Sequence, residues 1–176
     1  MDSPAANTYD GRWMRLGWSV VPLTTVLVLT CSGPSSVEKY QGEIHLILDP
    51  ATRATEERNS VIEEQVQLGV TRLTSQQALE MTRTKLAAAN KAYEATSKAL
   101  TAFRPIVPPK QCEQFHLTIT ESLQLQRLGL IEGKRFLELF LLTGRTDEDV
   151  QEGANRLLAE ADRAKQRALF QAGQCK

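Results

Sequence analysis

The chain has no surplus of charge of either sign: 21 lysines and arginines stand against 21 aspartates and glutamates. A neutral chain builds no basic field to draw nucleic acid, and no polybasic run is present to hold an anionic lipid surface. Histidine is scarce, with two in the chain, and cysteine nearly so, with three. No Cys-x-x-Cys-His occurs, which removes covalent haem attachment, and neither a Gly-rich phosphate loop nor a nucleophile elbow is found. Ser, His and Asp nowhere fall at a spacing that implies a triad, so no catalytic residue is named and no cofactor is expected. Aromatics make up 6% of the residues and long apolar-polar alternation is missing, which excludes a sheet protein. Ala, Leu, Glu, Gln and Arg are abundant instead, and they favour helices.

Apolar residues are concentrated near the start. Arg15 precedes a mostly apolar run from Leu16 to Leu29, and Cys31 follows. This is the layout of an export segment. It resembles bacterial lipoprotein signal peptides, whose lipobox sets a Leu or similar residue three positions before a cysteine that is lipidated and becomes the new N-terminus. Val28 fits that pattern. Thr30 departs from it, because Gly, Ala or Ser is usual beside the cysteine. The resemblance, limited to this segment, is to small helical bacterial lipoproteins of unassigned activity. It implies export, lipid attachment at Cys31 and anchoring to the cell membrane through the acyl chains. Starting at Met14 instead of Met1 would give the signal ordinary length. Other readings fit the same residues: ordinary cleavage near Ser32 with loss of Cys31, or an uncleaved anchor, although the run is shorter than the roughly 20 residues a membrane span needs. A buried core helix is disfavoured by Pro22 and by the Ser-Gly-Pro-Ser-Ser of residues 32–36, which reads as a flexible tether.

The organisation expected is therefore an export segment over 1–31, a tether over 32–36 and a helical domain over 37–176. Removing the export segment leaves about 145 residues, enough for one real core. A first helix is expected from about Val37 to Gly69, with Tyr40, Ile44, Leu48, Val61, Ile62 and Leu68 at helical spacing. Pro50 lies inside it and predicts a kink or a break there, with Asp49 as cap in the second case. In the second helix, Leu79, Leu86, Tyr93 and Leu100 form one half of a heptad seam, and Thr82, Ala89, Thr96 and Phe103 form the other. Ser75 is a candidate cap, and Pro105, Pro108 and Pro109 mark the turn that follows. The third helix begins near Pro109, carries Phe115, Ile119, Leu123, Leu130, Leu137 and Phe140, and stops at Gly144. Thr146 with Asp149 resembles a capping box for the fourth, whose stripe includes Ala154, Leu158, Ala161, Ala164 and Ala168. Short turns between long helices predict an all-α fold, an elongated antiparallel four-helix bundle.

The hairpin of helices three and four makes a further expectation. Cys112 and Cys175 lie at nearly equal distances along the chain from the turn between Thr143 and Asp147, so they should meet at its far end. A disulfide between them suits an oxidising compartment and leaves Cys31 as the odd cysteine. Gly129 and Gly133 predict a tight helix crossing. The segment Phe136–Leu142 is apolar almost all round, which places it at the centre of the bundle or makes Phe136, Leu139, Phe140 and Leu142 a contact for an envelope partner.

Three function classes follow. The leading one is a non-enzymatic, membrane-tethered binding or scaffolding protein of the cell envelope. The second is a metal- or haem-binding bundle centred on Glu113 and His116, which share the i, i+3 spacing used by di-metal bundles, with Cys112 as a soft ligand if unpaired. The third is a small-molecule carrier that uses room left by the Thr and Ala side of the second-helix seam.

Overall fold

The computed structural model describes residues 35–67 and 75–175. The export segment, Met14 and Cys31 lie outside them. Among the described residues the chain forms α1 (Ser35–Gln67), α2 (Ser75–Phe103), α3 (Glu113–Thr143) and α4 (Glu148–Ala172), with a short 3-10 turn at Lys110–Cys112 and no strand. The helices pack α1 on α2, α2 on α3 and α3 on α4. This is the expected all-α four-helix bundle.

The contacts between side chains fix its directions. Cys112 meets Cys175, Ser122 meets Ala161 and Gly129 meets Leu158, so α3 and α4 run antiparallel. Tyr40 meets His116 and Thr55 meets Gln126, so α1 and α3 run parallel, as alternation along the chain requires. Glu57 and Lys91 pair across α1 and α2. The helices hold 33, 29, 31 and 25 residues. At 1.5 Å rise per residue they are roughly 40–50 Å long, which makes the bundle elongated.

Local chemistry accounts for the boundaries. α1 begins at Ser35, two residues inside the stretch expected as tether, and runs through Pro50 without a break. Proline removes the hydrogen bond to the carbonyl of Leu46. Both Leu46, 80% exposed, and Pro50 lie on the solvent side, where water can satisfy that carbonyl. The buried stripe of Ile44, Leu48, Ala51 and Ala54 continues past the proline and holds the helix together. Gly144 closes α3 in the left-handed conformation, φ 66°, with its N–H donating to the Phe140 carbonyl at 2.8 Å. α4 is capped by Asp147, not by Thr146: the Asp147 carboxylate accepts from the Val150 N–H at 3.2 Å. Aspartate is the stronger cap and sits one residue nearer the helix, with Glu148 and Asp149 at the positive end of its dipole.

The core is graded along the bundle. At the disulfide end it holds large side chains, with Val37, Ile44 and Phe103 wholly buried around Cys112 and Cys175. Farther along it narrows to Ala54, Ala92, Leu130 and Leu158. Small residues let helices approach closely. On α2 the half of the seam made by Thr82, Ala89, Thr96 and Phe103 is buried throughout, whereas in the other half only Leu100 is buried. The helix axes therefore come together on that side while Leu79, Leu86 and Tyr93 stay half-exposed. Tyr93 uses its position at the edge, with the Lys134 ammonium 4.6 Å from its ring centroid.

Candidate ligand-binding cleft

The gap in the packing lies between α1, α3 and α4. There a cleft of about 80 Å³ opens on the bundle, walled on its apolar side by Leu48, Ala51, Ile119, Leu123 and Ala161. Its polar lining includes Arg58, Asn59, Gln126, Asp162 and Lys165; Leu130 and Leu158 stand at the Arg58 and Asn59 end, and Lys165 lies level with Ser122. An apolar hollow and several polar side chains converge here.

The polar groups are arranged unevenly. Gln126 Nε2 donates to Thr55 Oγ1 at 2.7 Å, and Thr55 in turn donates to the Ala51 carbonyl at 2.8 Å. Ser122 donates to the Ala161 carbonyl at 2.8 Å and ties α3 to α4 beneath the cleft. Asn59 is 6% exposed; its Oδ1 accepts from Arg58 Nη1 at 3.1 Å, and its Nδ2 has no partner. A buried donor left without an acceptor costs about 1–3 kcal/mol. Burial pushes the Arg58 guanidinium below its ordinary pKa, and no carboxylate of the described residues offsets this. Lys165 is also lowered by burial, but Asp162 and Glu56 act against that shift. One cation of the cleft is thus balanced by acids and the other is not.

The sequence-expected sites lie elsewhere. Cys112 and Cys175 form the disulfide, with Cα atoms 4.7 Å apart. His116 is buried at 7% exposure: its Nδ1 meets the Tyr40 hydroxyl at 3.0 Å and its ring stacks on Phe103 at 4.3 Å between centroids. Glu113, one turn before it, faces solvent. The i, i+3 pair therefore diverges, because His116 turns into the core while Glu113 sits at the exposed start of α3. Cys112 is engaged in the disulfide and offers no thiolate. Among the described residues no three of His, Cys, Asp and Glu gather as a metal site. Of the four candidate partner contacts, Phe136 and Phe140 point into the bundle at 4% and 8% exposure, Leu139 is half-buried, and Leu142 is 82% exposed. On the Thr and Ala side of the α2 seam, where room for a ligand is expected, Thr82, Ala89 and Thr96 are buried, and no α2 residue lines the cleft.

Sequence reasoning passed over Arg58, Asn59 and Lys165. A signal was present on α1. Its apolar stripe runs through Tyr40, Ile44, Leu48 and Ala51, and Arg58 and Asn59 fall where that stripe would continue before Ile62. A charged residue and an amide on a buried stripe mark a polar site in a core.

No helix among the described residues is long and apolar enough to cross a membrane. The chain matches no protein-family model, no curated protein and no solved structure.

Proposed function

We propose that this chain is an exported, lipid-tethered binding protein of the cell envelope, non-enzymatic, whose binding element is the cleft between α1, α3 and α4. The observation that carries the reading is Asn59 Nδ2, a buried donor without a partner beside the unbalanced Arg58 in a hollow with apolar walls on one side. Concave sites with apolar walls and a few placed polar groups are where small molecules bind. The lipobox-like segment ending at Cys31 supports export and tethering, and the Cys112–Cys175 disulfide suits an oxidising compartment.

Two measurements test it. The intact mass of the protein from its host's membrane fraction should begin at Cys31 and include acyl chains, with two thiols alkylated only after reduction. An unprocessed chain with three reactive thiols would overturn the tether. An NMR screen of the full chain against a chemically diverse fragment set should shift the side-chain amide signals of Asn59 and Gln126. If no fragment moves them, the cleft is not a binding site.

A further inference from the structure

We propose that the cleft takes a short aliphatic monocarboxylate, with the carboxylate held by Arg58 and Asn59 and the hydrocarbon body directed toward Leu48, Ile119 and Leu123. This rests on the reading of the cleft as a binding site and names the chemistry of its ligand.

The head group follows from what the cleft lacks. Asn59 Nδ2 is a donor without an acceptor, and Arg58 spends one N–H on Asn59 Oδ1 and makes no ion pair with a carboxylate of the described residues. A guanidinium has five N–H donors in a planar fork, which matches the two oxygens of a carboxylate. Because Arg58 bonds the same amide that carries Nδ2, an anion accepting from the guanidinium lies next to the unused donor. The second cation, Lys165, already faces Asp162 and Glu56. Those two acids also line the cleft and disfavour a doubly charged head group such as a phosphate monoester. One negative charge is what Arg58 lacks.

The tail follows from shape and polarity. The Thr55–Gln126 hydrogen bond marks the middle of the cleft. Toward the disulfide end its lining is Leu48, Ile119 and Leu123, each at most 6% exposed. From Leu48 to Asn59 the helix rises roughly 16 Å, so a tail of a few carbons held at Asn59 points toward the disulfide end without spanning the cleft. The hollow of about 80 Å³ is about half the size of a 150 Å³ cavity that accepts benzene, so it holds about three or four carbons. A longer chain has to force α1 away from α3 and α4.

The test is titration of the full chain, followed by NMR, with acetate, butanoate, pentanoate and, as the uncharged control, pentan-1-ol. Affinity should rise about fourfold for each methylene from acetate to pentanoate. Pentanol should bind at least tenfold more weakly than pentanoate, and Arg58→Gln should lose at least tenfold in pentanoate affinity. Pentanol binding as well as pentanoate, or affinity independent of chain length, would overturn the proposal, as would undiminished binding by folded Arg58→Gln. The pentanol comparison needs no variant and decides the matter if Arg58→Gln does not fold. Should uncharged or cationic fragments shift Asn59 and Gln126 while no carboxylate does, this assignment falls and the cleft remains a binding site.

Discussion

Gly129 on α3 lies directly against Leu158 on α4: a Cβ placed on the glycine would come 2.6 Å from Leu158 Cγ and 3.1 Å from its backbone nitrogen. The two helices cross where only a hydrogen fits. Gly133, one turn on, has nothing within 4 Å of the same position, so the tight crossing expected of both glycines is made by the first alone. Alanine improves on glycine in a helix by about 1 kcal/mol. At Gly133 that gain is unopposed, and Gly133→Ala should raise stability by about 0.5–1 kcal/mol. At Gly129 the new methyl meets a branched carbon and backbone, neither of which can swing away. Overpacking then costs about 1–3 kcal/mol and outweighs the propensity gain. Urea midpoints should move in opposite directions for the two variants. A stabilised Gly129→Ala would mean that the helices do not cross there.

The disulfide links residues 63 apart and closes α3 and α4 into one loop. Constraint of the unfolded chain over a loop of that length contributes about 4 kcal/mol in the chain-entropy model. Cys175 is also the last anchor of the C-terminal end, beyond the end of α4 at Ala172. Cys112→Ser with Cys175→Ser should therefore lower unfolding free energy by up to about 4 kcal/mol while leaving helix content near that of the parent. Circular dichroism during denaturation reads both quantities. An unchanged midpoint would show that the cysteines are unpaired in solution.

Helices and hairpin were legible in the sequence because each depends on local spacing. Of the expected α3 stripe, Phe115, Ile119, Leu123, Leu130 and Phe140 are buried and Leu137 is half-buried, and the nearly equal offsets of Cys112 and Cys175 from one turn located their meeting. The cleft was not legible, because it depends on where α1 stands against α4. Its parts come from helices far apart in the chain, and no periodicity reports that distance. Arg58 and Asn59 interrupt the α1 stripe, but the stripe alone does not say what faces them, and Lys165 on α4 carries no local mark of its burial. The His116 environment was missed for a related reason: spacing showed that Glu113 and His116 share a helix face, but the edge of a face can be exposed while its centre is buried.

Pro50 sits in a continuous helix, exposed, with one backbone hydrogen bond missing. Proline in a helix interior is about 3 kcal/mol less favourable than alanine. Part of this is offset because proline also restricts the unfolded chain. Pro50→Ala should therefore stabilise the bundle by roughly 2 kcal/mol, read as a rise in thermal midpoint or urea midpoint. No stabilisation would indicate that the chain breaks at Asp49 and Pro50 in solution and that two helices, not one, occupy residues 35–67.

His116 connects stability to pH. Burial holds its imidazole below the ordinary pKa of histidine, with its ring between Phe103 and the Tyr40 hydroxyl. The Tyr40 phenol is itself pushed far upward by burial and stays protonated at every pH of interest. Charging His116 places an uncompensated cation in the large-side-chain end of the core. In the unfolded chain the same ring takes up its proton near pH 6.5. As pH falls below that value the unfolded state binds more protons than the folded one, so stability decreases. The contribution of neutral His116 is complete above about pH 6.5 and is lost as pH falls toward its lower folded pKa. A single proton limits the slope to about 1.4 kcal/mol per pH unit. Unfolding free energies of the parent and His116→Gln, measured from pH 8 to pH 5, should diverge in slope only below about pH 6.5, where the variant curve is flatter. Parallel curves through that window would mean that His116 is as accessible to protons in the folded protein as in the unfolded chain, and the stacked, hydrogen-bonded arrangement with Phe103 and Tyr40 would be wrong.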